Sequence, residues 1–165
     1  MKKVLIMTPD IEGPVRNGGI GTAFTALATT LAKKGYDVDV LYTCGDYSES
    51  SASTFSDWSR IYSTFGINLL STGLVKEINI DAPYFRRKSY SILLWLKENN
   101  VYDTIISCEW QADLYYALLS KKNGTDFENT KFIVNTHSST LWADEGNYQL
   151  PYDQNHLESL VRLSI

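Results

Sequence analysis

The chain has little of what would place it in several large classes of protein. It holds only two cysteines, Cys44 and Cys108, with no CxxC pair. That rules against a disulfide framework and suits two free thiols in a reducing compartment. The two histidines, His137 and His156, have no cysteine or histidine neighbour at ligand spacing, so no metal box is expected. Basic charge is not in excess. The formal net charge is -4, and neither Lys33-Lys34 nor Arg86-Arg87-Lys88 supplies the basic stripe that would meet nucleic-acid phosphates. Long apolar runs are also missing. Val4 to Met7 stops at Pro9-Asp10, short of the roughly 7–15 apolar residues of a secretory core. Ile92 to Leu96 is far below the ~20 residues that span a bilayer. Internal repeats and low-complexity linkers are absent. These absences together predict a soluble, cytoplasmic protein that binds neither metal nor nucleic acid.

What is present is an alternation of strand and helix patterns. With 165 residues, 44% apolar and 21% charged, the chain can hold one domain with a sizeable core. Val4-Leu-Ile-Met7 is apolar throughout, as a strand covered on both faces should be. Ile20, Ala23, Phe24, Leu27, Ala28, Leu31 and Ala32 then recur at helical steps, and Gly35 closes that helix after Lys33 and Lys34. Val38 to Tyr42 is a second strand, which completes a βαβ unit with parallel strands. Further on, the pattern predicts a short helix around Asp57 to Phe65 and an edge strand or hairpin arm over Val75 to Ile80. A helix follows Pro83 and ends near Asn99-Asn100. Next come a strand at Asp103 to Ser107, a helix from about Trp110 to Lys122, and a strand at Lys131 to Asn135. Helical spacing returns at Leu157, Leu160 and Val161. The expected fold is a doubly wound, mostly parallel α/β sheet of Rossmann-like type.

The stretch Thr8 to Thr22 organises this pattern. Gly18, Gly19 and Gly21 sit where a helix begins, and a helix start offers unpaired N–H groups and the positive end of the dipole. Glycines keep Cβ atoms out of an anion's way, and Arg16 adds a forked cationic donor. The same glycines also suit a plain strand-to-helix turn with Arg16 solvated. In doubly wound sheets, ligands sit beyond the carboxyl ends of the strands. The loops Thr8–Gly21, Cys108–Asp113 and Thr136–Gly146 occupy that position, which predicts one shared site.

The order of these elements resembles the opening of retaining glycosyltransferases built from two Rossmann-like domains, the GT-B architecture of family 4 and of the glycogen and starch synthases. Asp10 is followed by Gly18-Gly-Ile-Gly, a helix, and Lys-Gly-Tyr-Asp-Val-Asp-Val. Arg16-Asn-Gly-Gly resembles the Lys-Thr-Gly-Gly of the synthases. Glu109-Trp-Gln stands where they carry Asp-Trp-His, and Thr136-His137 at their Thr/Val-His element. The loop from His137 to Asn147 is similar to that of family 4 members.

The resemblance implies transfer of a sugar from a nucleotide-sugar donor to a carbohydrate or other hydroxyl acceptor, with no cofactor or metal. Gly18, Gly19 and Gly21 would face the donor diphosphate, with Arg16 helping to neutralise it. His137 would act at the reacting sugar, whereas the plain alternative is a structural core histidine. Asp10, Glu109 and Trp110 would lie on the acceptor side, although Trp110 also falls on an apolar helix stripe. Glu145 is a further polar contact or a solvated side chain. The family's second domain, which grips the nucleotide and supplies a Lys/Arg pair and a Glu-rich motif, has no counterpart here. The chain is therefore expected to be the N-terminal, acceptor-side domain of a longer enzyme, to be inactive without its C-terminal domain, and either to fold its last apolar stripe back on the sheet or to pair it with another copy as a dimer. Two alternatives remain. One is a non-catalytic sugar- or partner-binding α/β module. The other is an NAD-type dehydrogenase, whose fingerprint needs glycines closer to the first strand and an acid ending the second.

Overall fold

The computed structural model describes residues 1–49, 53–137 and 144–149. The helical spacing at Leu157, Leu160 and Val161 and most of the loop after His137 lie outside the described residues. Five strands form one parallel sheet in the order β3-β2-β1-β4-β5, with helices flanking it. They are β1 (Lys3–Thr8), β2 (Asp37–Tyr42), β3 (Ile67–Ser71), β4 (Thr104–Cys108) and β5 (Lys131–Asn135). The helices are α1 (Gly19–Lys33), α2 (Phe55–Thr64), α3 (Tyr84–Glu98) and α4 (Tyr115–Lys122). The doubly wound α/β fold expected from the alternation is the fold observed. Among the described residues, no helix is long and apolar enough to cross a membrane.

The chain divides into two compact units. The first comprises Met1–Leu74 with Val101–Ile106. Its centre is β1, where Leu5, Ile6 and Met7 are fully buried, as a strand with helices on both faces requires. β1 pairs in parallel with β2, Val4 opposite Val38 and Ile6 opposite Val40, and β2 pairs with β3. Helix α1 buries Gly21, Phe24 and Ala28, a narrower stripe than its sequence offers, and Ala23 is exposed. Helix α2 begins with a reciprocal cap: Thr54 accepts from the Asp57 N–H, and the Asp57 carboxylate accepts from the Thr54 N–H. At the amino ends of the strands, the buried Asp39 carboxylate accepts from Tyr102 at 2.8 Å and from Asn68 at 3.2 Å, and pairs with Lys3 at 3.2 Å. Burial pulls the Lys3 ammonium down, but hydrogen bonding and charge from Asp39 and Asp37 outweigh it, so the net shift is upward.

The second unit comprises Val75–Asn100 and the described residues from Ser107 onward. Helix α3 buries Ser89, Ser91, Ile92, Leu93 and Leu96. Strand β5 alternates between exposed and half-buried residues, the pattern of a strand with one thinly covered face.

Two expectations are corrected. The third strand is Ile67–Ser71, not Val75–Ile80, which has no regular structure and is largely exposed. In that segment the Ile78 N–H donates to the Ser91 hydroxyl at 3.1 Å rather than to a strand. The helix expected from Trp110 to Lys122 is broken. A short 3-10 turn spans Trp110–Ala112, and α4 starts only at Tyr115. Gln111 and Ala112 have φ of 65° and 55°, which a continuous right-handed helix cannot contain.

Candidate functional site

In the first unit, the carboxyl end of β1 runs into a loop that is fixed along its length. Ile11 is fully buried. Glu12 donates its N–H to the Thr25 hydroxyl at 3.1 Å and accepts from the Tyr62 phenol at 2.7 Å through its carbonyl. The Trp58 ring lies against Gly13. Glu49 holds the far side, because its carboxylate accepts from the Arg16 N–H and its own N–H donates to the Pro14 carbonyl, both at 2.7 Å. These anchors are not legible as a motif, since Thr25, Glu49 and Tyr62 lie 13, 33 and 50 positions from the loop residues that they hold.

The loop delivers Asp10 to the start of α1. One carboxylate oxygen, Oδ2, accepts from the Gly18 and Gly21 N–H groups, each at 3.0 Å. This satisfies two of the orphan donors of a helix start and places a negative charge at the positive end of the dipole. The other oxygen, Oδ1, is buried and has no hydrogen-bond partner. Gly21 is glycine for this reason: a Cβ there would lie 2.6 Å from Asp10 Oδ1 and 2.7 Å from Asn17 Cβ. Gly19 differs. It is exposed, and a Cβ there would meet nothing within 4 Å. The Gly19 and Ile20 N–H groups have no hydrogen-bond partner among the described residues. Asp10, Gly18 and Gly21 thus form one closed cluster beside two open donors, and the Arg16 side chain is exposed just upstream.

In the second unit, the candidate residues gather where β4 and β5 end. Glu109 has no solvent exposure, and both its oxygens accept from the His137 backbone N–H, at 2.8 and 3.0 Å. The carboxylate is committed inside the fold. The His137 ring is 23% exposed, and its Nδ1 lies 3.1 Å from the Asn135 carbonyl. A carbonyl can only accept, so Nδ1 is the donor in that bond, and the same nitrogen lies 3.9 Å from Glu109 Oε2. Trp110 is half-buried in the 3-10 turn.

A second buried group adjoins this turn. The Lys88 ammonium, from α3, reaches Asp113 Oδ1 at 2.9 Å and Oδ2 at 3.2 Å, and Gln111 Oε1 at 2.8 Å. The Lys88 and Asp113 side chains are only 9% and 2% exposed, so each charge depends on the other. Their bonds brace the two residues held at positive φ. Nothing in the sequence pairs Lys88 with Asp113, and Lys88 stands out there only as part of the short basic run Arg86-Arg87-Lys88. Burial pushes the neighbouring Cys108 thiol up to about 12, with help from the Asp113 and Glu109 charges. Glu145 is exposed. Among the described residues, no three His, Cys, Asp or Glu side chains converge as a metal site.

Compared with models of known protein families and with curated proteins, the chain matches none.

Proposed function

We propose that the chain is the N-terminal, acceptor-side domain of a retaining glycosyltransferase of the GT-B type. Such an enzyme moves a sugar from a nucleotide-sugar donor to a hydroxyl acceptor. The observation that carries this proposal is the start of α1. Two open N–H groups, at Gly19 and Ile20, stand beside a carboxylate whose Oδ1 lacks a donor. Open N–H groups at a helix start favour an anion, and a phosphate-bearing sugar brings one. Gly19 leaves the approach open, and Arg16 supplies the cationic complement.

On the resemblance, His137, at the end of β5, would meet the donor sugar, with Glu109 fixing its backbone and Trp110 offering an aromatic face. The nucleotide sugar is the substrate, so no resident cofactor is invoked. The leaving diphosphate would be held by a C-terminal domain, and this chain alone would transfer no sugar, since leaving-group electrostatics supply much of such a barrier.

The test is an amide NMR titration of the 165-residue chain with inorganic diphosphate and with a nucleotide sugar. Shifts centred on Gly19 and Ile20, lost in Gly19→Val with the rest of the spectrum unchanged, are expected. Shifts nowhere near Gly19 would reduce the glycine stretch to a turn.

A further inference from the structure

A cleft of ≈ 480 Å³ opens beside the carboxyl end of β3, inside the first unit. Its lining includes Asp46, Phe55, Ser56, Leu70, Ser71 and Leu74, and none of its residues belongs to the Thr8–Gly21 loop. The volume lies within the range of small-molecule sites, and the carboxyl ends of parallel strands are where such sites form.

The polar groups of this cleft are placed by the fold. The buried Ser71 hydroxyl donates to Asp46 Oδ1 and accepts from the Gly73 N–H at 3.1 Å. The Gly45 N–H donates to the Thr72 hydroxyl at 2.9 Å, which ties the turn carrying Asp46 to the residues after β3. A Cβ at Gly73 would lie 2.9 Å from both Asp46 oxygens, so glycine is required for the carboxylate to settle there. Asp46 Oδ2 has no hydrogen-bond partner among the described residues. In the same lining, Phe55 and Ser56 open α2, and their N–H groups and the Ser56 hydroxyl have no hydrogen-bond partner among the described residues. Phe55 is stacked on the buried Tyr42 ring at 6.0 Å, and with Leu70 and Leu74 it adds apolar surface.

We infer that this cleft binds a neutral polyhydroxylated ring, such as a free monosaccharide or the ribose of a nucleoside. Asp46 is the only charged residue among the described residues lining it, and no cation of the lining offsets it as Arg16 does beside Gly19, which disfavours an anion. A carboxylate accepts strongly from a hydroxyl, the Ser56 donors suit a neighbouring hydroxyl oxygen, and the apolar residues suit the C–H face of the ring. This inference is independent of the function proposed above, because it uses no residue of the glycine loop.

The test is amide NMR of the chain titrated with D-ribose and with methyl α-D-glucoside. For ligands of this size a Kd of about 1–10 mM is expected. The expected shifts fall on Asp46, Ser56, Ser59 and Gly73 and leave Gly19 in place. Asp46→Ala should weaken binding at least about tenfold, the value of one charge-assisted hydrogen bond. If that variant fails to fold, Ser56→Ala, an exposed change, should weaken binding by several fold. Three results would overturn the inference. They are no shift with either sugar, shifts that survive both substitutions, or stronger binding of inorganic phosphate than of sugar at these residues.

Discussion

Glu109 holds the backbone N–H of His137 with both carboxylate oxygens, at 2.8 and 3.0 Å, from a position with no solvent exposure. The bond fixes where the chain goes as it leaves β5. Removing the carboxylate leaves a part-buried N–H unpaired and a cavity where the buried side chain was. Glu109→Ala should therefore cost about 3 kcal/mol, whereas Glu109→Gln keeps one acceptor and should cost about 1 kcal/mol. Urea melts of the two variants check the difference. Equal costs would mean that the N–H of His137 is satisfied elsewhere.

The two glycines at the start of α1 should behave in opposite ways. Gly21→Ala drives a Cβ to within 2.6 Å of Asp10 Oδ1, and overpacking of that kind costs about 1–3 kcal/mol. At Gly19 there is nothing within 4 Å, so Gly19→Val should leave the melting temperature almost unchanged and remove only anion binding. A Gly19→Val variant that unfolds, or that binds diphosphate as well as the parent, would refute the distinction.

Why the sequence disclosed some of this and hid the rest follows from how far apart the interacting residues lie. The unit β1–α1–β2 is legible because a continuous apolar strand and a helical stripe are local patterns. Strand β3 is not, because Ile67-Asn-Leu-Leu-Ser71 is short and the more regular-looking Val75–Ile80 competes with it. The break at Gln111 and Ala112 is hidden because neither residue favours positive φ, and it is braced by Lys88 from another helix. The glycine stretch announced a helix start, but not that Asp10 already takes two of its N–H groups. Glu109 and His137 each stand out in the sequence, yet their contact spans 28 positions and no periodicity reports it.

His137 itself separates a ligand role from a structural one. Its ring is 23% exposed, and Nδ1 lies 3.1 Å from the Asn135 carbonyl and 3.9 Å from Glu109 Oε2. His137→Ala should lower stability by about 1 kcal/mol, the value of a partly exposed hydrogen bond. In an enzyme that carries the chain together with a catalytic partner domain, the same change should abolish transfer. A sharp fall in the melt with unchanged activity per folded molecule would make His137 a core residue.

The two thiols should differ in reactivity. Cys44 is exposed and Cys108 is buried, and burial pushes the Cys108 thiol up to about 12. Since the thiolate is the reactive form, a disulfide reagent at pH 8 should modify Cys44 in the native chain and Cys108 only after denaturation. Two fast thiols in the native state would show that the β4 end opens readily.

Alkali should expose the phenols that the fold keeps protonated. Burial pushes Tyr62 up from 10.0 to about 12, partly offset by the hydrogen bond to Thr25. Burial also raises Tyr102, reinforced by its bond to Asp39. The folded chain therefore keeps a proton that the unfolded chain releases above pH 10. The stabilisation is fully present below that pH and is lost as pH rises towards about 12, at up to about 1.4 kcal/mol per pH unit for each such group. Tyr62→Phe cannot ionise. At pH 8 it should cost about 1 kcal/mol for the lost bond to the Glu12 carbonyl, but between pH 10 and 12 its stability should fall less steeply than the parent's. Parallel denaturant titrations across that window measure the two slopes, and identical slopes would show that the Tyr62 phenol is not held protonated by the fold.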